Sequence, residues 1–188
     1  MSGPTDRIAT VPNALSLLRI LAIPVFVWLI VDRDTTFAGL VTFAVVASTD
    51  WVDGVLARAT GQVSEVGKVL DPVADRLATA AGLVALVVRD AFPLWAALLV
   101  LVRDAAIVVA GVGLLARRRV RIEVRYLGKL ATFALLLGIG AVSWGNLGYA
   151  FADAFLVVGW AAFALGIVTS YVAAVQYAGD ARRALAEP

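Results

Sequence analysis

The 188-residue chain is 62% hydrophobic, has neither Cys nor His, and carries a formal charge of only +2. A soluble domain is about 45–50% apolar, so a lipid bilayer is the expected solvent and no nucleic-acid partner is expected. The missing residue types exclude disulfides, thiolate ligands, the commonest general base and every Ser-His or Cys-His nucleophile pair. Any catalysis has to run on carboxylates, Lys, Arg, hydroxyls or metal.

The segment Met1–Thr10 lacks a basic stretch leading into a short apolar run with a cleavage site, so the first apolar stretch is expected to stay as a membrane helix. A short juxtamembrane segment, 1–11, precedes it. Six apolar segments follow, each near the roughly 20 residues that span a bilayer. They are Pro12–Val31, Phe37–Ala57, Val69–Val88, Pro93–Ala116, Leu127–Gly145 and Phe151–Ala178. Charged or turn-forming stretches separate them, among them Asp32-Arg33-Asp34, Arg89-Asp90 and the run from Arg117 to Arg125. The expected fold is an all-α integral membrane protein with six transmembrane helices, a single membrane domain over residues 1–188.

The basic residues set the orientation. Arg7, the trio Arg58, Lys68 and Arg76, the cluster Arg117, Arg118, Arg119, Arg121 and Arg125 with Lys129, and the tail pair Arg182 and Arg183 fall on one side of a six-span chain. The other side has only Arg33 and Arg89, each beside an Asp. Positive charge accumulates on the cytoplasmic side, so both termini are expected there, in a multi-pass cell-membrane protein. Trp28, Trp95 and Trp144 fall near the opposite ends of their segments, where an aromatic belt lies.

Four acids interrupt the apolar pattern. Asp50 and Asp53 sit inside the second segment, and Asp71 and Asp75 early in the third. Each costs roughly 2.5–3.5 kcal/mol at mid-bilayer on insertion scales, and like charges at low dielectric repel. Spacings of three and four residues place each pair on one helix face, and two antiparallel helices can bring the pairs together. Such hard oxygen ligands suit Mg²⁺ or Mn²⁺, and Mg²⁺ usually also takes substrate phosphate oxygens. Gly54, Ala57 and Gly67 lie beside the acids, and their small side chains let a ligand or a neighbouring helix come close. Arg58 is placed either to clamp a phosphate or to anchor the helix at the cytoplasmic face.

In order these residues spell Asp50-x-x-Asp53-Gly54-x-x-Ala57-Arg58-x₈-Gly67-x-x-x-Asp71-x-x-x-Asp75. The pattern resembles the signature of the CDP-alcohol phosphotransferases at all eight positions. The opening Pro12-Asn13-Ala14-Leu15-Ser16-Leu17-Leu18-Arg19 is similar to that of the bacterial phosphatidylglycerophosphate and cardiolipin synthase branch. The resemblance implies transfer of a phosphatidyl group from CDP-diacylglycerol to an anionic alcohol acceptor, with release of CMP. It implies that Asp50, Asp53 and Asp71 bind metal, and that Asp75 is the base and touches the second ion. It implies that Gly54, Ala57, Arg58 and Gly67 shape the nucleotide pocket, that Asn13 and Arg19 approach the pyrophosphate, that the site faces the cytoplasm, and that the protein is a homodimer.

For the acceptor, phosphatidylglycerophosphate synthases of this branch commonly read Arg-Glu in the fourth helix and Lys-x-x-Thr followed by Gln in the fifth. This chain reads Arg103-Asp104, then Gly128-Lys129-Leu130-Ala131-Thr132 with Phe133 and Ala134 following. That form resembles cardiolipin synthases of the CDP-alcohol type, and phosphatidylglycerol is the expected acceptor ahead of glycerol 3-phosphate. Arg103 is the candidate acceptor-phosphate ligand, or else the ion-pair partner of Asp104 or of a motif acid. Arg117, Arg118, Arg125 and Lys129 either help hold the acceptor or anchor the chain at the cytoplasmic face. A cation transporter is the alternative of another class, since intramembrane acids also line ion paths; the absence of an internal repeat argues against it.

Overall fold

The computed structural model describes residues 11–60, 67–116 and 126–186, which are helical apart from short turns. Six helices are present among them: α1 (Val11–Val31), α2 (Thr36–Thr60), α3 (Gly67–Val88), α4 (Leu94–Ala116), α5 (Tyr126–Asn146) and α6 (Ala152–Ala186). Five of the six apolar segments match their helices closely. The sixth was bounded at Ala178, whereas α6 runs on to Ala186. Hydropathy falls at the polar tail, but Ala, Leu and Arg there are strong helix formers, so the helix outlasts its apolar stretch. Among the described residues, Ala14–Val31 and Ala152–Ala174 are long and apolar enough to cross a membrane by length and composition. Outward-facing side chains are largely apolar, including Leu21, Trp28, Val45, Val102, Val157 and Val168, a surface suited to hydrocarbon.

The helices form two compact units, residues 1–89 and 90–188. In the first, α1 packs on α2 and α3. The turn between α1 and α2 is held by side chains: Thr36 Oγ1 donates to the Asp32 and Ile30 carbonyls, and Thr35 Oγ1 to that of Leu29. These are the carbonyls a helix C-terminus leaves unsatisfied. Arg89, just past the end of α3, donates from Nε to Thr36 Oγ1 at 3.0 Å. That bond fixes the ends of all three helices together. Deeper in the unit, the Phe26 and Phe43 rings lie 5.3 Å apart, and Gly82 of α3 leaves the space that the Phe43 ring fills.

In the second unit, α5 and α6 pack along most of their length. A Cβ at Gly138 would stand 2.6 Å from the Phe163 amide nitrogen, and one at Gly159 would stand 2.7 Å from that of Val142. Backbone approach of this kind is how helices associate where lipid removes the hydrophobic drive between them. Trp144 Nε1 donates to the Ala150 carbonyl across the α5–α6 turn, where Gly148 and Phe151 have φ of 73° and 60°. Asn146 Nδ2 donates to the Ala91 carbonyl ahead of α4. The contact of α4 with α6 is of another kind: Trp95 stacks on Trp160 at 5.4 Å, and Phe92 meets Phe163 edge-on at 5.6 Å.

Gly138→Ala and Gly159→Ala are expected to lower stability by about 1–3 kcal/mol, the usual range for overpacking. Gly140, whose added Cβ meets nothing within 4 Å, should accept Ala at no cost or with a gain of about 0.5–1 kcal/mol from helix propensity. Thermal unfolding of the purified variants in detergent micelles measures both.

Candidate functional site

The contact of Phe26, Phe43 and Gly82 fixes the register of α1, α2 and α3. From each of these residues, a step of seven toward the end remote from Arg89 reaches a charged position: Arg19 on α1, Asp50 on α2 and Asp75 on α3. Seven residues are close to two helical turns, about 10.5 Å of rise with a face drift of about 20°. Along the backbone the three positions therefore stand at a similar height on α1, α2 and α3. Asp71, eleven residues before Gly82, returns to the same side of α3 one turn further on. Asp53 lies one turn beyond Asp50 on α2.

Arg19 is 3% exposed and shares its buried stripe on α1 with Ser16, Phe26 and Ile30. Ser16, Arg19, Asp75 and Arg76 all have interaction partners. A cation held this deep suits a height that also carries carboxylates, since buried charge has to be matched. Asn13, Asp50, Asp53, Gly54, Ala57, Arg58, Gly67 and Asp71 lie on described helical backbone, but their side chains lie outside the described residues. Arg117, Arg118 and Arg125 lie outside them altogether, and so does the Lys129 side chain. Among the described residues alone, no group of three or more His, Cys, Asp or Glu is placed to hold a metal.

The second unit contributes a buried ion pair. Arg103 Nη1 donates to Asp104 Oδ1 at 2.6 Å, with the side chains 8% and 11% exposed. The structure thus pairs Arg103 with its neighbour, one of the two roles its sequence position allowed. The pair leaves Arg103 Nε buried without a hydrogen-bond partner. Ser170 of α6 was not picked out from sequence: it is buried, and its hydroxyl has no hydrogen-bond partner. One hydroxyl in a long apolar helix carries no pattern. The sole cue is its place seven residues after Phe163, on a face that packs.

Comparison with known proteins follows the same residues. A family model described as CDP-alcohol phosphatidyltransferase matches residues 9–172. The chain is 37% identical over 187 residues to the cardiolipin synthase (CMP-forming) of Streptomyces coelicolor, covering 95% of this chain and 86% of that protein. It is 32% identical to a putative cardiolipin synthase of Mycobacterium tuberculosis, over 92% of this chain and 83% of that one. It is 31% identical to the CDP-diacylglycerol–glycerol-3-phosphate 3-phosphatidyltransferase of Bacillus subtilis, over 85% of this chain and 91% of that one.

Removing one member of a buried ion pair strands the other charge, at a typical cost of 3–5 kcal/mol. Asp104→Ala is therefore expected to lower stability by about 3 kcal/mol, and the double replacement of Arg103 and Asp104 by Leu to recover most of that loss. Denaturant or thermal unfolding in micelles compares the three proteins.

Proposed function

The chain belongs to the CDP-alcohol phosphatidyltransferase family, and on that premise we propose that it makes cardiolipin, transferring the phosphatidyl group of CDP-diacylglycerol to phosphatidylglycerol with release of CMP. It is an enzyme of phospholipid biosynthesis. The observation that supports the mechanism is the seven-residue step from Phe26, Phe43 and Gly82, which brings backbone positions 19, 50 and 75 to a similar height in the first unit. The acceptor rests on the Arg103-Asp104 form of the sequence, which resembles cardiolipin synthases, and on similarity, along almost the whole chain, to proteins named as cardiolipin synthases. The 31% identity to a glycerol-3-phosphate phosphatidyltransferase supports glycerol 3-phosphate as the second reading.

The family is membrane-associated and generally divalent-metal dependent. All six helices are proposed to span the bilayer, with cytoplasmic termini and the acid layer opening to the cytoplasm, where CDP enters while the acyl chains stay in lipid. The donor set fits Mg²⁺ or Mn²⁺: four carboxylates in an apolar setting, on adjoining antiparallel helices, with no soft ligand in the chain. Asp50, Asp53, Asp71 and Asp75 would hold two ions, which when bound neutralise charge developing on the phosphate oxygens.

The chain's own groups position and deprotonate. Arg19, buried in the first unit, offers a fixed guanidinium to the pyrophosphate. Gly54, Ala57, Arg58 and Gly67 flank the cytidine end, as the family pattern implies. Asp75 accepts the proton of the acceptor hydroxyl. That oxygen bonds to the phosphorus bearing diacylglycerol, the bond from that phosphorus to the bridging pyrophosphate oxygen breaks, and CMP leaves with the electron pair. With no His or Cys in the chain, a direct displacement is the economical route.

The deciding assay supplies purified protein with CDP-diacylglycerol, Mg²⁺ and both acceptors at equal concentration in micelles. Cardiolipin should dominate; phosphatidylglycerophosphate with no cardiolipin would establish the second reading, and uptake of cations without CMP release would favour a transporter. Chelation with excess EDTA should abolish CMP release and Mg²⁺ should restore it; undiminished turnover in EDTA refutes the metal assignment. Asp75→Asn should lower kcat by about 10²–10⁴-fold, the usual worth of a general base, while nucleotide binding by calorimetry persists. Wild-type rates for Asp75→Asn would overturn its role.

A further inference from the structure

Phe151 stands where neither its backbone nor its helix favours a phenyl ring. Its φ is 60°, in the left-handed region that Gly enters freely and a bulky side chain occupies only under strain. Its carbonyl accepts from the Phe155 amide at 3.1 Å. It therefore caps the start of α6, a place that Ser, Thr, Asp, Asn or Gly fills best. It is also 81% exposed, more than any other large apolar residue described. Packing within the chain thus gives no reason for Phe at this position.

The turn around it holds that backbone in place. Trp144 Nε1 donates to the Ala150 carbonyl at 3.0 Å, and the Leu147 and Gly148 amides donate to the Ser143 and Gly145 carbonyls. The Trp144 ring lies 4.9 Å from that of Tyr149 and 5.5 Å from that of Phe155. Residues on both sides of position 151 are thereby tied to Trp144, and strain persists where the surroundings over-determine it. The turn also has a definite level. The apolar helix Leu130–Asn146 ends just before it, and the candidate span Ala152–Ala174 begins at the residue after Phe151. Asp153, in the first turn of α6, is exposed, while Val157 is apolar and 72% exposed. Phe151 precedes Val157 by six residues, about 9 Å of rise, against about 5–8 Å for the headgroup layer on each side of a bilayer.

We propose that Phe151 is an interfacial anchor, its ring entering the boundary between headgroups and acyl chains of the lipid surface beside the α5–α6 turn. The proposal rests on the membrane-spanning reading of α5 and α6 above. An apolar ring gains burial in that boundary that water does not offer, and aromatic residues are enriched there. The gain offsets the left-handed backbone, so one partner accounts for both the strain and the exposure. A second copy of the chain is the other occupant an exposed ring could have. The place of Phe151 at the mouth of a candidate span, within reach of the headgroups, favours lipid.

The chain has no Cys, so single-Cys variants carry a nitroxide at one site each. Phe151→Cys, Val157→Cys and Asp34→Cys are labelled in the full chain and reconstituted in vesicles of phosphatidylcholine and phosphatidylglycerol. Collision with oxygen relative to a water-soluble nickel chelate reads depth. Val157 is the hydrocarbon reference, and Asp34, exposed in the α1–α2 turn, the aqueous one. The ratio at 151 should lie above that at 34 and no higher than that at 157. A ratio equal to that at 34 overturns the anchor, and dipolar broadening between labels at 151 overturns it in favour of a second copy. A ratio at 157 equal to that at 34 refutes the membrane-spanning reading itself, and the anchor with it. In the same vesicles Phe151→Trp should keep the melting temperature, and Phe151→Asn should lower it by about 2–4 °C, a shift of the size one lost contact brings in a chain this long. Asn tolerates the left-handed region and caps helices well, so a ring without a lipid contact gives the opposite sign. A rise for Phe151→Asn therefore overturns the proposal.

Discussion

Ionised side chains in apolar surroundings need compensation, and most of this molecule's arrangement follows from that requirement. Each acid placed at mid-bilayer costs roughly 2.5–3.5 kcal/mol, so four of them approach the whole net stability of a typical domain, about 5–15 kcal/mol. The chain meets the cost locally. Arg103 is closed against Asp104, Arg89 against the capped end of α1 through Thr36, and Arg19 is buried among the helices of the first unit with interaction partners of its own. Whatever charge stays uncompensated within the protein is available to substrate and ions, which makes binding partly a relief of electrostatic cost.

The two units solve helix association differently. In the second, glycines on α5 and α6 bring backbones together, so adhesion comes from many small dispersion contacts. Where α4 meets α6, aromatic rings do the opposite and act as spacers. In the first unit, one Phe–Phe contact and one ring seated over Gly82 fix the relative register of three helices. A single well-placed aromatic pair is thereby enough to set the register of helix positions two turns away.

Much of this was legible in the amino-acid order. Apolar runs broken by charge mark five helices closely, because a lipid-facing helix has to be apolar nearly all round. Asp50, Asp53, Asp71 and Asp75 stand out because acids in such runs are costly. The choice between partners for Arg103 was not legible, since sequence allows Asp104 or a motif acid equally and only packing decides. Ser170 was hidden because a lone serine in a helix usually satisfies itself against its own backbone. The full reach of α6 was missed because hydropathy locates the membrane-compatible stretch and says nothing of where helix propensity ends. Glycines at 138, 145, 159 and 166 are visible in the sequence, but which helix each admits is a property of the fold.

The bond from Arg89 to Thr36 has a mechanical consequence. It ties the end of α3 to the turn joining α1 and α2, so this three-helix unit is pinned at one pole. A bundle clamped at one pole deforms like a cantilever, with small angular changes at the clamp becoming the largest displacements at the opposite tip. Asp75 and Asp71 lie toward that tip on α3, about four and five helical turns from the clamp at Arg89. Entry of a bulky two-chain lipid can then be taken up by splaying of helix tips while the Phe26–Phe43–Gly82 register stays intact. The same clamp that orders the ends remote from the acids thereby sets where the unit yields.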